Sequence, residues 1–307
     1  MIGVDIGGAN LKVVSESGVF IHYCPLWKET PIREILQGYS EAKNAAVVMS
    51  GELADCFSSK QEGIEFIVSA VKDVFPDARF YGTDGLFHDF PVPELAAANW
   101  LVMADILRDF YPNSLLIDMG STTTDIIPLN AWDFLKRQTD FSRLKSGLLA
   151  YYGVLRTPIS SLLRSVSLDG QKVGISTEYF ACSGDAHLLM GMITQEDYTT
   201  QTPDNFHTSR YECLRRMARM VCADVSEIGE ESALFIAESY VKEEKKLIEE
   251  YVRTLIDRYA CNRIITAGIG SGILSGWFDT INLNIEMGKI SDAMPAWAVR
   301  EAYLRNG

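Results

Sequence analysis

Two short segments of the chain combine an aspartate with glycines and small polar residues in a tight turn. They read DIGGANLK at residues 5–12 and DMGSTTTD at residues 118–125. Glycines allow positive φ angles and a close approach of backbone to ligand. The N–H groups of such turns can therefore point at the oxygens of an anion. This pattern predicts two phosphate-binding turns in one chain.

A polyphosphate needs several N–H and hydroxyl donors and a divalent cation beside it. We predict that Asp5 and Asp118 hold Mg²⁺, mainly through the waters of the ion. The predicted phosphate-binding residues are Gly7, Gly8, Asn10 and Lys12 in the first turn and Gly120, Ser121, Thr122, Thr123 and Thr124 in the second. A third turn, which could seat a nucleotide or a substrate, contains Gly268, Gly270, Ser271 and Gly272.

A single glycine hairpin more often has no ligand, and a run of threonines alone usually marks a strand or turn. Two matched hairpins and a third glycine turn in one chain are difficult to explain as coincidence. The functional interpretation is therefore favoured over the purely structural one.

Each of the two turns lies between short apolar segments that read as strands. These are residues 1–4 and 11–14 around the first turn, and 115–118 and 126–129 around the second. A clear helical pattern at 238–259 leads into a strand and the third turn. Further helices are predicted at 94–110 and at about 295–305.

The repeated pattern of strand, aspartate, glycine turn and strand predicts two related domains. We place the boundary near residue 113, which gives an N-terminal domain of residues 1–113 and a C-terminal domain of residues 114–307. The last helix is expected to be free to pack back onto the first domain.

The formal net charge of -13 argues against binding to a nucleic-acid backbone or to an anionic membrane surface. The six cysteines form no CxxC pair, so we expect buried, reduced thiols. No apolar run approaches the length of a membrane span, and no charged segment precedes an apolar one. We expect a soluble, cytoplasmic protein. Its oligomeric state is left open, a homodimer included.

The segments DIGGANLK, DMGSTTTD and ITAGIGSG (265–272) resemble, in order and spacing, the phosphate-1, phosphate-2 and adenosine motifs of the actin, sugar-kinase and heat-shock-chaperone superfamily. The resemblance implies an α/β fold. Two actin-like (ribonuclease H-like) domains would each contain a mixed five-stranded sheet, with a ligand cleft between them. ATP would then be a possible ligand.

A narrower resemblance extends beyond these turns. The segments CPLWK (24–28), TDGLF (83–87), PVPELAAANW (91–100), GVLRTP (153–158), TEYFACSGD (177–185) and RRMARMVCAD (215–224) are similar to the hydantoinase/oxoprolinase-related family linked to tetrahydromethanopterin-dependent C1 transfer. This resemblance implies a methanofuran-type biosynthetic transferase. Such an enzyme joins an aminomethylfuran-methyl diphosphate to the phenol of γ-glutamyltyramine, with Mg²⁺ and without ATP consumption, and releases diphosphate.

A phenol has a pKa near 10 and needs a base or a positive neighbour in order to react. The candidate bases are Asp84, His88, Asp125 and Asp185. Each also has an ordinary role open to it: Asp84 and Asp125 in turns, His88 at the surface and Asp185 as a helix cap.

Other side chains could contact the substrates. Arg156, Arg215 and Arg219 could bind a γ-glutamyl carboxylate. Trp27, Trp100 and Tyr179 could line a furan or phenol pocket, or pack in the core.

Three other functions remain open at this point. The third glycine turn is compatible with an ATP-dependent small-molecule kinase. A nucleotide-switched filament or chaperone protein would need an insert or a peptide-binding domain that the short chain does not evidently contain. ATP-driven opening of a hydantoin or oxoproline ring is the third.

Overall fold

The computed structural model describes residues 1–27 and 31–306, and its first sheet has six strands in the order β3-β2-β1-β4-β5-β6. β1, β4 and β5 are parallel, whereas β2, β3 and β6 pair antiparallel with their neighbours. The strands are β1 (Ile2–Ile6), β2 (Asn10–Ser15), β3 (Gly18–Tyr23), β4 (Ala45–Met49), β5 (Arg79–Tyr81) and β6 (Phe87–His88). The first sheet therefore contains the expected five strands and one additional short strand, β6.

The second sheet has five strands in the order β13-β12-β7-β8-β9. Its strands are β7 (Ser114–Met119), β8 (Thr124–Pro128), β9 (Leu149–Ala150), β12 (Arg263–Ala267) and β13 (Thr280–Asn282), and β10 (Ser165–Leu168) and β11 (Gln171–Gly174) form a separate hairpin. β7-β8-β9 is an antiparallel meander, and β12 and β13 run parallel to β7. The first five strands of the chain have the same arrangement. The predicted α/β fold with two related mixed sheets is confirmed.

The helices cover both sheets. They are α1 (Ile32–Gln37), α2 (Lys60–Lys72), α3 (Asn99–Phe110), α4 (Trp132–Leu135), α5 (Asp140–Ser146), α6 (Ser183–Leu189), α7 (Arg210–Arg219), α8 (Val225–Tyr259), α9 (Ser271–Trp277), α10 (Leu283–Met287) and α11 (Met294–Asn306). Three 3-10 turns lie at Pro93–Leu95, Ile159–Ser161 and Gly288–Ala293.

Two helix boundaries differ from the sequence prediction. The helix expected at 94–110 begins only at Asn99, because Ala97 has a φ of 48°, in the left-handed region that a right-handed helix excludes. The helix expected at 238–259 begins at Val225 and is interrupted at Gly229, where φ is 77°. The sequence prediction does not include the first part of this helix, because Gly229 interrupts the helical pattern of apolar residues.

The first sheet is covered on one face by α1 and α2, and on the other by α3 and α11. α11 contacts β1 and β4 so closely that a Cβ on Gly3 would lie 2.7 Å from the Cβ of Arg300 and would collide with Ala296 O. α3 shares a buried core with the second sheet as well. Because α3 contributes to both halves, the domain boundary near residue 113 stays a prediction.

Within the described residues, no helix combines the length and apolar character that crossing a bilayer requires. The cysteines are free, but Cys56 and Cys222 are exposed, which corrects the expectation that all six are buried.

Candidate functional site

The first glycine turn joins β1 to β2 and is closed by its own backbone. Gly7 N–H donates to Asn10 O at 2.9 Å, and Asp5 lies opposite Lys12 in the strand register. The N–H groups of Ser50 and Gly51, at the end of β4, both donate to the carbonyl oxygen that ends β1. A Cβ on Gly51 would lie 2.9 Å from Gly7 O. The end of β4 is therefore packed directly against this turn.

The second glycine turn joins β7 to β8 in the same way. Gly120 N–H donates to Thr123 O at 2.8 Å, and Asp118 lies opposite Asp125. The third glycine turn packs on it. Gly268 has a φ of 79°, and a Cβ there would collide with Asp118 Oδ1.

The two hairpins converge, because their charged side chains interact with one another. Burial raises the pKa of Asp5 to about 6, against the opposing effect of Lys12. Burial also raises the pKa of Asp118 to about 7; Asp125 and Asp5 add to this shift, and Lys12 opposes it. Asp5 is 6% exposed, while Asp118 is partly open to solvent. The structure thus brings together both predicted metal ligands and Lys12.

The donor atoms present fit a magnesium ion. Asp5 Oδ1 is buried and has no hydrogen-bond partner among the described residues. Mg²⁺ typically takes one or two carboxylates and completes its octahedron with waters and phosphate oxygens. In the described chain, no group of three or more His, Cys, Asp or Glu side chains is arranged to hold a metal by itself. Asp5 and Asp118 would therefore hold the ion together with waters and ligand oxygens.

Most of the predicted phosphate-binding residues lie at the surface of the two turns. Gly7 and Gly8 are partly exposed, Asn10 is exposed, and residues 120–123 are partly exposed. Thr124 differs: it is fully buried, and its hydroxyl donates to Tyr152 O at 2.7 Å. That contact argues against a phosphate-binding role for the Thr124 hydroxyl.

Asp125 is held in an ion pair. Arg143 Nη2 donates to Asp125 Oδ1, and Arg143 Nη1 donates to Asp140 Oδ1 at 3.0 Å. The guanidinium lies 4.2 Å from the ring centroid of Trp100, which is completely buried. Arg143 compensates the charge of Asp125, so Asp125 is poorly suited to act as the base. Trp100 has the core role that the sequence left open.

Asp84 and His88 remain together at the edge of the first sheet. His88 Nε2 lies 3.2 Å from both carboxylate oxygens of Asp84, and Leu86 N–H donates to Asp84 Oδ1 at 3.1 Å. Asp84 follows β5, whose carboxyl end lies at the same edge as those of β1 and β4. Both residues keep their place as candidates, in addition to their role in the turn.

Asp185 belongs to a different, fully buried network. Its Oδ1 accepts from Arg216 Nε at 2.8 Å and Nη2 at 2.6 Å, and its Oδ2 accepts from Cys182 N–H at 3.0 Å. Both Asp185 and Arg216 have no exposed surface. This arrangement argues against Asp185 as the base and matches its alternative role at the start of α6.

The arginines proposed for substrate binding are in different places. The backbone N–H of Arg156 donates to Ser121 O at 3.1 Å, and its guanidinium acts against the burial that raises the pKa of Tyr179. Arg156 and the half-exposed Tyr179 therefore lie together beside the second turn.

The other two arginines lie on α7, and each forms an ion pair. Arg215 pairs with Glu212 and lies 5.6 Å from the ring centroid of Phe206, and Arg219 pairs with Asp204 at 3.5 Å. These contacts argue against a substrate-binding role for Arg215 and Arg219.

With this geometry in view, comparison with known proteins identifies the family. The model of the family described as hydantoinase/oxoprolinase matches residues 43–293. The chain belongs to the hydantoinase/oxoprolinase family. Among its relatives is "(4-{4-[2-(gamma-L-glutamylamino)ethyl]phenoxymethyl}furan-2-yl)methanamine synthase" from Methanocaldococcus jannaschii. It is 35% identical over 316 residues, covering 97% of this chain and 96% of the relative. A protein of the same name from Methanococcus vannielii is 35% identical over 197 residues, covering 61% of this chain and 89% of the relative.

Solved structures with this arrangement include a ROK family glucokinase from Streptomyces griseus in complex with glucose and AMPPNP. It has a TM-score of 0.46 and 15% sequence identity, and the match covers 100% of this chain and 99% of that one. A likeness of this size carries no argument about ligand or reaction.

In this member of the hydantoinase/oxoprolinase family, one further acidic side chain lies beside the site and was not predicted. Glu52 follows Gly51 at the end of β4 and is 1% exposed, and within residues 1–27 and 31–306 its Oε2 has no hydrogen-bond partner. A signal was present in the sequence, because this acid directly follows Ser50-Gly51, which ends the apolar segment 45–49. Its nearness to the first turn becomes visible only in the structure. There β4 pairs with β1, and the end of β4 packs against that turn.

Proposed function

We propose that this protein joins an aminomethylfuran-methyl diphosphate to the phenol of γ-glutamyltyramine, or of a related compound. The products would be an aryl ether and diphosphate. The observation that carries this proposal is the 35% identity, over 97% of the chain, to a synthase whose name describes a phenoxymethyl link between such a phenol and a furan. The geometry supports it, because Asp5 and Lys12 of the first turn lie close enough to Asp118 of the second to act on its charge.

The two turns would bind the diphosphate of the donor. The N–H groups of Gly7 and Gly120 close the turns, so other backbone N–H groups of the two turns and the side chain of Lys12 would contact its oxygens, as the exposure of these turns allows. Asp5 and Asp118 would hold Mg²⁺, whose charge offsets that of the leaving diphosphate. The site is preorganised by backbone hydrogen bonds, so it stabilises the leaving group without reorganising.

The acceptor would approach from the side of Arg156 and Tyr179. The guanidinium suits the carboxylate of a γ-glutamyl group, and the aromatic ring suits a furan or a phenol. The phenol gives up its proton to a base, and its oxygen forms a bond to the furan methylene carbon. The bond from that carbon to the diphosphate oxygen breaks, and diphosphate leaves with the electron pair. Because the furan ring delocalises positive charge on the methylene carbon, early departure of diphosphate is favourable.

A turnover assay with Mg²⁺, the furan diphosphate and γ-glutamyltyramine, without ATP, tests this proposal. We expect equal amounts of diphosphate and of the aryl ether, measured by mass spectrometry. Ether formation that requires ATP, or ADP release with a phosphorylated product, would instead support a small-molecule kinase. The observation in favour of that second function is the packing of the Gly268 turn, which could seat a nucleotide, against Asp118.

A further inference from the structure

Residues 152–157 form a segment that supports the second phosphate-binding turn. Val154 N–H donates to Gly120 O at 3.0 Å, and Leu155 N–H donates to Ser121 O at 3.0 Å. Both carbonyl groups of the turn therefore point at this supporting segment. Because a planar trans peptide directs its C=O and its N–H to opposite sides, the N–H that follows each of these carbonyls points away from the segment.

The N–H of Thr122 is the second of these groups and is suited to bind an anion. Thr122 is partly exposed, and its N–H has no acceptor among the described residues. Gly153 of the supporting segment packs on its backbone, because a Cβ there would lie 2.5 Å from the carbonyl carbon of Thr122. The position of this N–H thus depends directly on the supporting segment.

The supporting segment is fixed in turn by side chains at the start of α6. The hydroxyl of Ser183 donates to Gly153 O at 2.7 Å, and its oxygen accepts from Thr157 N–H at 3.1 Å. Thr157 Oγ1 accepts from Gly153 N–H at 2.9 Å. Ser183 and Thr157 are both buried. Between these two anchored positions, the segment is contacted by His187, one turn further along α6.

His187 is completely buried and uses both ring nitrogens. Its Nδ1 lies 2.8 Å from Val154 O, and its Nε2 lies 2.7 Å from Glu244 Oε2. Since a carbonyl oxygen can only accept, Nδ1 carries a proton and donates it to Val154 O. Burial acts against the charged ring, but Glu244 outweighs burial and raises the pKa of His187. The ring is therefore a cation that donates in both directions.

These contacts form one chain of hydrogen bonds from α8 to the second turn. The peptide unit between Val154 and Leu155 accepts from His187 at its carbonyl. Its N–H donates to the carbonyl of Ser121, and that peptide unit ends in the N–H of Thr122. Every donor from the ring onward points toward the turn, and hydrogen bonds aligned in this way polarise one another. A cationic ring at the start of the chain makes the last N–H a stronger donor.

Packing alone does not account for this buried pair. An ion pair without contact to water is weak evidence for stability, since apolar residues of similar volume often stabilise a core equally well. Glu244 is completely buried, and its Oε1 accepts from the hydroxyl of Tyr240 at 3.3 Å. An apolar pair could fill the same space, but it could not donate a proton to Val154 O.

We propose that His187, held by Glu244, positions the second phosphate-binding turn and strengthens Thr122 N–H as a donor to the diphosphate. This inference rests on the proposed function and deepens it. Both are positioning residues, because they are completely buried and act through the supporting segment. Negative charge accumulates on the diphosphate as it leaves, and a preorganised donor stabilises that charge.

Two double variants separate positioning from packing. His187→Phe with Glu244→Leu replaces both groups by apolar side chains. His187→Asn with Glu244→Leu keeps an uncharged donor near the place of Nδ1. We expect the first variant to keep a urea midpoint near that of the wild type, but to bind Mg²⁺-diphosphate at least about tenfold more weakly. The second should bind several-fold more tightly than the first, although its core is less apolar.

Dissociation constants come from isothermal titration calorimetry with inorganic diphosphate and Mg²⁺, and kcat and KM from the turnover assay. We expect kcat to fall in the same order as the affinity for diphosphate, because the same N–H acts on the leaving group. Tyr198→Phe is the matched control. The buried Tyr198 hydroxyl donates to Asp185 of α6 at 3.2 Å, outside the chain that leads to the turn. Its loss should lower the urea midpoint and leave the affinity for diphosphate unchanged.

The two proposals fail in different ways. Wild-type protein that binds Mg²⁺-diphosphate but forms no ether overturns the proposed function, whereas the variants still test His187 through binding. Wild-type protein that does not bind Mg²⁺-diphosphate overturns both. Equal affinities of the two double variants, or affinities that follow the urea midpoint with Tyr198→Phe included, overturn the positioning role alone.

Should the apolar double variant not fold, as judged by circular dichroism, Glu244→Gln replaces it. The amide keeps the volume and can still accept from His187 Nε2, but it removes the charge that favours the cationic ring. We expect several-fold weaker binding of diphosphate at a similar urea midpoint. An unchanged affinity in this variant would count against the role of the pair.

Discussion

At the scale of single residues, the site depends on two carboxylates that the fold keeps away from water. Asp5 and Asp118 have pKa values raised to about 6 and about 7, and desolvation is the main cause for both. A carboxylate with a raised pKa is destabilising when it is ionised. Two such groups beside one lysine would be stabilised by a cation, which would give the site an affinity for a metal-bound anion.

The stability of the protein without Mg²⁺ should therefore fall as the pH rises from about 4 to about 7. In this range the unfolded aspartates, with pKa values near 3.9, have lost protons that the native ones retain, so the native state binds more protons. At about 1.4 kcal/mol per pKa unit, we expect the free energy of unfolding to drop by on the order of 5 kcal/mol across the window. Urea unfolding at a series of pH values measures this. A rise in stability over the same window would contradict the assigned pKa shifts.

Asp118→Asn should separate stability from activity. The amide has a similar shape but no charge to bury, so we expect unfolding at pH 8 without Mg²⁺ to cost about 1–2 kcal/mol more than in wild type. Ether formation should fall by at least about 100-fold, because the metal ligand is lost. Urea unfolding and the turnover assay give the two numbers. Asp77→Asn, at an exposed aspartate, should change neither; normal turnover by Asp118→Asn would remove its assignment to the metal.

At the scale of secondary-structure elements, the third glycine turn positions the end of β7. Its backbone approaches Asp118 and Met119 so closely that only a residue without a side chain fits at position 268. Gly270 N–H fixes the same contact by donating to Met119 O at 2.9 Å. The turn thus has a structural role at the site whether or not it binds a nucleotide.

Gly268→Ala should consequently damage the site. The left-handed φ and the collision with the Asp118 carboxylate should cost about 1–3 kcal/mol of stability. Displacement of that carboxylate should lower kcat by on the order of 10–100-fold. Thermal unfolding and the turnover assay measure both. Gly276→Ala, in α9 with open space around its Cβ, is the control and should be neutral or slightly stabilising.

Elements with a local pattern could be predicted from the sequence. Both hairpins were found because their glycines and aspartates are adjacent in the chain, and the long helix ending at Tyr259 because its apolar residues recur regularly. β6 and β9 have two residues each, which is too short for any periodicity. The start of α3 was misplaced because Ala97 gives no sign of its left-handed conformation.

The site could be predicted less completely, because much of it depends on long-range pairing. Arg143 and Asp125 are 18 residues apart, and nothing local shows that they form an ion pair. The nearness of Glu52 to the first turn becomes visible only when β4 is placed beside β1. Backbone turns are encoded by adjacent residues, whereas the charge state of a carboxylate depends on residues that are distant in sequence and close in the folded protein.

At the scale of the whole molecule, each half contributes one hairpin to a single site. The two sheets have the same strand arrangement, so the hairpins meet as related elements. A ligand bound between them contacts both halves of the chain at once. Binding should therefore stabilise the molecule only when both hairpins are intact.

Diphosphate with Mg²⁺ should raise the thermal stability of the wild type, by about 2.7 kcal/mol at a concentration 100 times Kd. Asp5→Asn should abolish this gain as fully as Asp118→Asn does, and the double variant should show no further loss. Differential scanning fluorimetry with and without the ligand measures the shift. If each single variant retained half of the gain, the hairpins would be acting as two independent sites.

The contact of α11 with β1 also affects how the chain reaches its native state. Gly3 and Ala296 touch although 293 positions separate them, and this contact covers one face of the first sheet. During synthesis α11 cannot cover its part of that face until residues 294–306 have been made, and α3 alone packs there before then. Contacts of such sequence separation form slowly, and exposed apolar sheet surface attracts other chains in the meantime. The first sheet should thus be the part that most needs chaperones until α11 has been made.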